Sequence, residues 1–317
     1  MRVDIELSII VPCYNESEVV EKFFSAMVGN NGILNNLGLN CELVFINDGS
    51  KDNTLELLKA QKEIYSNKSN LDIKIVNLSR NFGKEAAMSA GFSVASGEAI
   101  VPMDADLQHP ASLIPKFVEL WRQGYDVVLA KRANRQDESA LKRFCSLIFY
   151  KLNNKISEIE IPQNVGDFRL FTKKVLNAIN SLPENQRFMK GIFAWVGFRS
   201  ITIEYEEQER IAGSSKFNGW KLWNFALQGI TGFGTLPLRI WTYIGFIVSF
   251  FAFIYASFLI LRTFIMGIDL PGYASLVVII LFLGGLQLIG VGILGEYVGR
   301  IYMESKRRPP FIIDEIY

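Results

Sequence analysis

The sequence predicts an α/β domain with a mostly parallel sheet, followed by a pair of membrane-spanning helices. Short apolar, β-branched runs alternate with helical segments through the first 130 residues, which is typical of a parallel sheet with helices on both faces. The charges are unevenly spread, because residues 240–317 hold only five of the 33 Lys and Arg residues and five of the 32 Asp and Glu residues. A near-neutral polar body therefore precedes an apolar C-terminal quarter.

The N-terminal body reads as strands and helices in alternation. Strands are expected at residues 6–12, 42–46, 73–78, 99–103 and 125–130, and helices at 16–28, 52–65, 84–95 and 110–123. The strand runs show little polar alternation, which is typical of strands buried on both faces. Ligands of such sheets bind beyond the carboxyl ends of the strands, so chemistry is expected there.

Two charge-free runs, 240–261 and 270–294, are long enough to cross a bilayer. The first has 22 residues, and at about 1.5 Å per residue it reaches roughly 33 Å, against a hydrocarbon core of about 30 Å. A short loop separates the runs, which favours a transmembrane hairpin over two buried core helices. The following tail carries four basic residues, namely Arg300, Lys306, Arg307 and Arg308. The positive-inside rule then predicts a protein of the inner or plasma membrane with the N-terminal body and both termini in the cytoplasm.

The segment 217–238 is rich in Trp and Phe and is broken by Gly and Pro, as in helices that lie in the membrane interface. An ordinary linker is the alternative. The expected divisions are a cytoplasmic domain at 1–216, interfacial helices at 217–238, a hairpin at 239–299 with spans near 240–261 and 271–294, and a basic cytoplasmic tail at 300–317. Glycines of the second span, such as Gly290, permit close helix packing within the hairpin or between subunits.

Composition and missing motifs exclude several function classes. A formal net charge of +1 gives no general argument for nucleic acid. The three cysteines are far apart and there is a single histidine, which disfavours a zinc site and suits a reducing compartment. Neither G-x-G-x-x-G, nor a P-loop, nor G-x-S-x-G occurs, so dinucleotide-binding, P-loop and hydrolase interpretations lose support.

Polar clusters follow four successive predicted strands, at residues 12–16, 48–50, 80–84 and 104–108. Scattered surface charge would not select this one edge of the sheet. Within the last cluster Asp104 and Asp106 form a D-x-D, and two hard oxygen ligands so spaced suit Mg²⁺ or Mn²⁺ bound together with substrate phosphates. Such a pair would neutralise charge on a leaving nucleotide.

The residues alone leave alternatives open at three positions of these clusters. Asp48 is either an acceptor for a nucleobase or ribose, or a turn residue before Gly49. Glu16 either contacts a ligand or stabilises the first turn of a helix through its dipole. His109, just before a proline, is expected to shape the turn rather than to act as a base.

Basic residues cluster within twelve positions after the fifth strand, at Arg132, Arg135, Lys142 and Arg143. Arginine grips phosphate bidentately, so this cluster is a candidate site for a phosphate-bearing acceptor. A solvated helix face and a patch for anionic lipid headgroups are the alternatives.

Taken in order, these motifs resemble glycosyltransferase family 2, with its GT-A nucleotide-sugar fold. The matching segments are 9–16 (IIVPCYNE), 47–50 (NDGS), 81–84 (NFGK) and 104–108 (DADLQ). With the hairpin, residues 5–310 are similar to polyisoprenyl-phosphate glycosyltransferases, the group of the bactoprenol glucosyltransferases and dolichol-phosphate mannose synthases. The Q-x-x-R-W motif of processive relatives is absent, because Gln186 is followed by Arg187 and Phe188 instead.

The resemblance implies four groups of site residues. Those for the nucleotide are Pro12, Tyr14, Glu16, Asp48, Lys84 and Asp104. Those for the metal are Asp104, Asp106 and Gln108. Those for the acceptor phosphate are Arg132, Arg143 and Ser146. The implied catalytic residues are Asp106, Asp167 to orient the sugar or the nucleophile, and Arg210 and Lys216 of an R-x-x-G-x-S-K loop that closes on phosphates.

The expected reaction is the inverting, Mg²⁺- or Mn²⁺-dependent transfer of one sugar, with UDP-glucose as the expected donor, to undecaprenyl phosphate. A lipid monophosphate is largely anionic at neutral pH, so such an acceptor needs positioning and charge screening rather than a general base. The rivals are a polysaccharide-type transferase with another acceptor and a non-catalytic membrane scaffold that retains the fold. The resemblance also implies a homo-oligomer, with a tetramer as one form.

Overall fold

The computed structural model describes residues 4–133, 165–185, 187–206, 236–266 and 272–317. Its strands are β1 Leu7–Cys13, β2 Cys41–Asn47, β3 Leu71–Leu78, β4 Ala99–Pro102, β5 Val127–Arg132, β6 Val165–Thr172, β7 Ser200–Tyr205 and β8 Ile313–Ile316. Its α-helices are α1 Val20–Val28, α2 Thr54–Tyr65, α3 Lys84–Val94, α4 Ile114–Arg122, α5 Lys173–Ser181, α6 Met189–Trp195, α7 Leu236–Met266 and α8 Tyr273–Ser305.

The described strands form one sheet in the order β7-β5-β6-β4-β1-β2-β3-β8. Strand β1 pairs in parallel with β2 and β4, and β2 pairs in parallel with β3, so the centre of the sheet is parallel. Strand β6 runs antiparallel to both of its neighbours, β4 and β5. The mostly parallel sheet is as the sequence predicts.

Helices cover both faces of the sheet because the central strands are apolar on both sides. Ile9 and Phe45 face one layer, where α1 and α4 contribute Phe24 and Phe117. Ile10, Val44 and Ile46 face the other layer, which α3, α5 and α6 cover. Each large side chain that is fully buried in this way stabilises the fold by about 1.5–3 kcal/mol.

All five strands and four helices expected before residue 130 are present, with ends shifted by a few residues. The strands β6, β7 and β8 and the helices α5 and α6 had no counterpart in the sequence analysis, whereas α7 and α8 overlap the two predicted apolar spans. The antiparallel strand β6 is inserted between β4 and β5, a placement that the alternation of strands and helices does not indicate.

The C-terminal tail returns to the sheet as an edge strand. Strand β8 pairs antiparallel with β3, and the backbones of Tyr317 and Ile75 exchange hydrogen bonds of 2.9 and 3.0 Å. The Asn77 amide donates to Asp314 at 3.1 Å. At the end of α8, the Glu304 carboxylate accepts the backbone N–H of Asn185 at 3.0 Å. The expected basic tail is therefore also a structural part of the domain.

The two C-terminal helices expose large apolar side chains, among them Phe253 (73% exposed) and Phe264 (87%). Within the described residues, Val278–Ser305 is the one helical stretch long and apolar enough to cross a membrane, and Ile240–Tyr255 is a shorter apolar stretch. A Cβ atom on Gly290 would lie only 2.0 Å from the Trp241 indole nitrogen, so this glycine permits the close approach of α7 to α8. A complete two-span hairpin stays a prediction, and most of the expected interfacial segment lies outside the described residues.

Candidate active site

The carboxyl ends of the central parallel strands meet at one edge of the sheet, where the loops that follow them form the candidate site. Strands β1, β2, β3 and β4 all end there because they run in parallel. Strand β6 is antiparallel to β4, so its first residues rather than its last lie at this edge. The third residue of β6 is Asp167, which is how a residue far along the chain joins the four predicted clusters.

The loops after β1 and β2 hold each other in place. Asn15 has a left-handed backbone (φ 55°), its N–H donates to Ser50 Oγ at 3.0 Å, and its side-chain oxygen accepts the N–H of Lys51 at 2.8 Å. The N–H of Glu16 donates to Thr54 Oγ1 at 2.9 Å. Of the predicted nucleotide residues, Pro12 lies near the end of β1 and Tyr14 and Glu16 lie on the loop that these hydrogen bonds hold, and each is half-buried.

Asp48 lies at the centre of the loops, and its side chain is turned toward the backbone. Its two carboxylate oxygens accept the N–H groups of Phe82 and Gly83 at 2.7 and 2.9 Å, and the residue is 3% exposed. Burial raises the pKa of Asp48, although the two N–H donors oppose that shift. Asp48 therefore shapes the β3–α3 loop, a role that was not among the predictions from the sequence. A direct nucleoside contact by Asp48 stays a prediction.

Gly49 allows the same loops to come together. Its φ of +62° is left-handed, and a Cβ atom would lie 2.5 Å from the carbonyl carbon of Arg80. A side chain is excluded on both grounds. The β2 loop therefore contacts the β3–α3 loop backbone to backbone.

Lys84, the first residue of α3, joins two carboxylates of the site. Its Nζ lies 2.7 and 2.9 Å from the two oxygens of Asp104 and 3.0 Å from Oδ2 of Asp167. The side chains of Lys84 and Asp104 are 43% and 32% exposed, whereas that of Asp167 is 19% exposed. The structure thus brings together three predicted residues, from the loop after β4, from β6 and from α3.

The charges of this triad are strongly coupled. Burial alone would raise the pKa of Asp167, but the positive charges of Lys84 and Lys190 overcome it and lower this pKa to about 2. Burial likewise opposes the charge of Lys84, yet Asp167 and Asp104 together raise its pKa. Asp167 and Lys84 are therefore both ionised at neutral pH.

Two more ionisable residues lie behind the triad. Burial and then the negative charge of Asp167 raise the pKa of Glu85 to about 8, and its Oε2 has no hydrogen-bond partner among the described residues. Arg169 is 4% exposed, its guanidinium lies 4.0 Å above the Phe193 ring, and burial lowers its pKa to about 10. The sequence analysis missed Glu85 and Lys190, since neither belongs to a recognisable motif.

Asp106 and Gln108 lie on the loop after β4. The backbone N–H of Gln108 donates to Oδ1 of Asp106 at 3.1 Å, and Leu107 between them has a left-handed backbone (φ 56°). Within the described ranges no three Asp, Glu, His or Cys side chains converge as a closed metal site. Two carboxylates on one loop do fit Mg²⁺ or Mn²⁺, because such ions take their remaining ligands from phosphate oxygens and water.

His109 is packed into the core beside this loop. Its ring stacks on Phe168 with centroids 4.8 Å apart and planes 15° apart, and the residue is 4% exposed. Burial lowers its pKa, so the imidazole is neutral at neutral pH. This packing agrees with a role in shaping the turn.

Of the three residues predicted to bind the acceptor phosphate, Arg132 lies within the described residues. Arg132 ends β5, which runs in the same direction as β4, so it lies at the same edge of the sheet. Arg143 and Ser146 lie outside the described residues, as do Arg135, Lys142, Arg210, Lys216 and Gln186.

Comparison with known families and proteins gives close matches. The family described as Glycosyl transferase family 2 matches residues 8–179. An uncharacterized glycosyltransferase of Synechocystis sp. is 52% identical over 99% of this chain and 96% of its own length. The bactoprenol glucosyl transferase of Shigella phage SfV is 49% identical over 97% of this chain and 98% of its own length.

Solved structures are more distant. The mannosyltransferase PcManGT from Pyrobaculum calidifontis, in complex with GDP-Man and Mn²⁺, has a TM-score of 0.48 at 19% identity, covering 73% of this chain and 63% of that one.

Proposed function

Because the chain belongs to glycosyl transferase family 2, we propose that it transfers one sugar from a nucleoside diphosphate sugar to the phosphate of a polyprenyl phosphate. The observation that carries the proposal is the gathering of Asp104, Asp106, Lys84 and Asp167 at one sheet edge, where a diphosphate and its sugar have charged partners of both signs. The full-length relatives named bactoprenol glucosyl transferase support the lipid acceptor and glucose, and thereby UDP-glucose as the donor.

On this proposal the nucleoside lies against the loop that follows β1. Tyr14 and Glu16 lie on that loop and Pro12 lies just before it in β1, and the hydrogen bonds of the loop to Ser50 and Thr54 fix its position. Asp48 acts indirectly by holding the N–H groups of Phe82 and Gly83, and so sets where Lys84 begins α3. The loop is thus preorganised for its ligand.

The leaving diphosphate is stabilised next to the end of β4. A divalent cation held by Asp104 and Asp106, with Gln108 nearby, would neutralise the charge that develops on that diphosphate. Lys84 offers a second positive charge within reach of the same phosphates. Arg210 and Lys216 would close on them from the R-x-x-G-x-S-K loop.

The acceptor phosphate supplies the nucleophile. One of its oxygens attacks the anomeric carbon, the bond from that carbon to the β-phosphate oxygen breaks, and the electron pair leaves with the nucleoside diphosphate. No base has to remove a proton, because the acceptor phosphate is already ionised. Asp167 orients the sugar or the nucleophile, and Arg132, Arg143 and Ser146 hold the acceptor phosphate. Single displacement at the anomeric carbon inverts its configuration.

The C-terminal helices hold this site near its lipid substrate. The exposed apolar side chains of α7 and α8 are suited to hydrocarbon, and Gly290 lets the helices approach as a hairpin. We propose two spans near 240–261 and 271–294, interfacial helices at 217–238, and a catalytic domain that faces the cytoplasm together with both termini. A homo-oligomer, with a tetramer as one form, is part of the same proposal.

The test is a lipid-product assay. The purified full-length chain in detergent receives undecaprenyl phosphate, Mn²⁺ or Mg²⁺, and one labelled donor at a time, with UDP-glucose and GDP-mannose among the donors. We expect one sugar per lipid in the organic phase from UDP-glucose and from no other donor. Products that elongate would favour the polysaccharide-type alternative, and the absence of any product would contradict the proposal.

Two variants make the assay specific to the site. Asp106→Asn is expected to lose turnover by about 10²–10³-fold, the size seen when a group that stabilises developing charge is removed. Asp72→Asn is the matched control, since it changes a half-exposed carboxylate at the other end of β3. Full activity in Asp106→Asn would overturn the assignment of the metal ligands.

A further inference from the structure

A cation of the protein itself already occupies the carboxylate that is proposed to bind the metal. Both oxygens of Asp104 lie within 2.9 Å of the Lys84 ammonium, which is the contact of a full ion pair. A divalent cation at Asp104 would have to share these oxygens with a positive charge a few ångströms away. Metal binding in the unliganded protein is therefore opposed by an internal competitor.

The position of Lys84 is set by the carboxylates and not by its helix. Lys84 is the first residue of α3, where the helix dipole disfavours positive charge. What holds the ammonium there is the pair of carboxylates from β4 and β6, of which Asp167 is the more buried. Asp167 keeps Lys84 in reach even when Asp104 has another partner.

Lys84 is also able to leave Asp104 without leaving the site. Its side chain is 43% exposed and has four flexible methylenes, so its ammonium can turn toward an anion bound at the same edge. A diphosphate is such an anion. Once its negative charges attract the ammonium, the oxygens of Asp104 are free to accept a divalent cation.

We infer that Lys84 is a positioning residue that makes metal binding depend on the donor: it blocks Asp104 in the empty site and releases it when a nucleoside diphosphate arrives. The inference rests on the proposed function for the identity of that ligand. Its consequence is synergy, in which nucleotide tightens metal binding and metal tightens nucleotide binding by the same factor. It follows that the site binds little metal while no nucleotide is present.

The experiment measures Mn²⁺ binding to the full-length chain in detergent by the electron paramagnetic resonance signal of free Mn²⁺, first alone and then with saturating UDP, and with GDP in parallel. In Lys84→Met, Mn²⁺ alone is expected to bind about two- to fivefold more tightly than in the wild type, the size of a half-exposed ion pair that no longer competes. The factor by which UDP tightens Mn²⁺ binding should shrink by a similar amount. Lys84→Arg keeps the positive charge and should bind Mn²⁺ alone as the wild type does.

A second variant keeps the inference testable if Lys84→Met does not fold. Lys84→Met leaves Asp167 with one counter-charge fewer, so Lys84→Met/Asp167→Asn removes the ammonium and the buried carboxylate together, and thermal unfolding is followed for both. Unchanged or weaker binding of Mn²⁺ alone in the folded double variant would overturn the inference, as would a wild type in which neither nucleotide alters Mn²⁺ affinity. Because no lipid acceptor is present, a failed lipid-product assay leaves this result standing, and the two failures are distinguishable.

Discussion

Two charged clusters lie at opposite ends of the strands of the same sheet, one where the central parallel strands begin (the amino edge) and one where they end (the carboxyl edge). They differ in how completely their groups are paired. At the amino edge, the fully buried carboxylate of Glu42 lies 2.7 Å from the Lys74 ammonium and also accepts the Ser8 hydroxyl and the Ser96 N–H. Ser8 in turn accepts the N–H of Gly97 at 2.8 Å, and Lys74 donates to the Ser96 hydroxyl at 2.7 Å. Each of these groups has its partner inside the fold.

At the carboxyl edge, the Lys84 triad is open to solvent. Asp104 is one-third exposed, and behind the triad Oε2 of Glu85 has no partner in the described part of the chain. The positive charge of Lys84 is divided between two carboxylates from different strands. The charges at this edge are therefore available to a ligand in a way that those around Glu42 are not.

This contrast separates charge clusters that stabilise the fold from those that indicate function. A buried network with every member paired stabilises one conformation. Charges that are partly exposed or imperfectly paired can still interact favourably with a ligand. Both clusters use the same residue types, Lys with Asp or Glu. Exposure and pairing, not composition, separate the structural cluster from the candidate site.

The largest expected effect breaks the amino-edge cluster. Glu42→Ala leaves the Lys74 ammonium and two donors without their acceptor, and we expect a loss of about 3–5 kcal/mol in the free energy of unfolding. Chemical denaturation of the detergent-solubilised chain measures it. The matched control is Asp72→Ala, whose half-exposed carboxylate lies 4.0 Å from the same Lys74 and is expected to change stability by less than about 0.5 kcal/mol. Equal stabilities of the two variants would remove the distinction between the edges.

The next largest effect is expected on the rate of sugar transfer, from a substitution at the carboxyl edge. Asp104→Asn is expected to lower the rate of sugar transfer by about 10²–10³-fold, because the leaving diphosphate loses its charge-neutralising partner. Stability should change by less than about 1 kcal/mol, because Asp104 is part of a partly exposed pair and Lys84 keeps Asp167. Rate and denaturation measurements on the same preparation check both. A strong destabilisation together with normal turnover would reverse the contrast with Glu42.

A smaller effect asks whether the C-terminal strand belongs to the structural side of the comparison. Truncation after Phe311 removes β8, including its backbone pairing with Ile75 and the contact of Asp314 with Asn77. We expect a loss of about 1–3 kcal/mol, since a few backbone hydrogen bonds and the packing of Ile313 are lost. The milder variant Tyr317→Ala removes only the ring under the Lys59 ammonium, 3.9 Å from its centroid, and should lose about 0.5–1 kcal/mol. Unchanged thermal unfolding of the truncated chain would contradict a structural role for the tail.

The sequence was informative where periodicity is strong and pairing is local. β1 and β2 each contain an uninterrupted apolar run, IIV and LVFI, so their buried positions and the polar clusters at their ends were predictable. β6 (VGDFRLFT) carries an Asp and an Arg inside the strand, and β8 (IDEI) has only four residues, so neither gives a clear pattern. The alternation of β7 (SITIEY) was a usable strand signal that the sequence analysis missed.

The candidate site was likewise predictable only where its residues directly follow a strand in the sequence. The D-x-D and the polar ends of the strands were predictable because each follows a strand directly. The partners of Lys84 were not, because Asp167 reaches it only through the antiparallel placement of β6. Glu85 had no signal beyond its position next to the NFGK segment, and its raised pKa depends on burial and on Asp167. Long-range pairing decides both.

The smallest expected effect is a change of stability with pH, which tests whether the carboxyl edge holds an imperfectly paired group. Burial and Asp167 raise the pKa of Glu85 in the folded chain from the usual 4.5 to about 8. Between these two values the unfolded chain has released the proton that the folded chain still holds, so the free energy of unfolding falls as pH rises through this window and the loss is complete above it. Glu85→Gln lacks this titration, so relative to the wild type it should gain about 1–2 kcal/mol between pH 6.5 and pH 8.

Denaturation at pH 5, 6.5 and 8 measures that gain, and Glu98→Gln is the matched control. The Glu98 side chain is 60% exposed and pairs with Lys173 at 3.1 Å, so its variant should show no such pH-dependent gain. If Glu85→Gln and Glu98→Gln follow the same curve, Glu85 is no more costly to ionise than a surface acid. The carboxyl edge would then hold no buried charge that the fold leaves imperfectly paired, and only exposure would distinguish it from the Glu42 cluster.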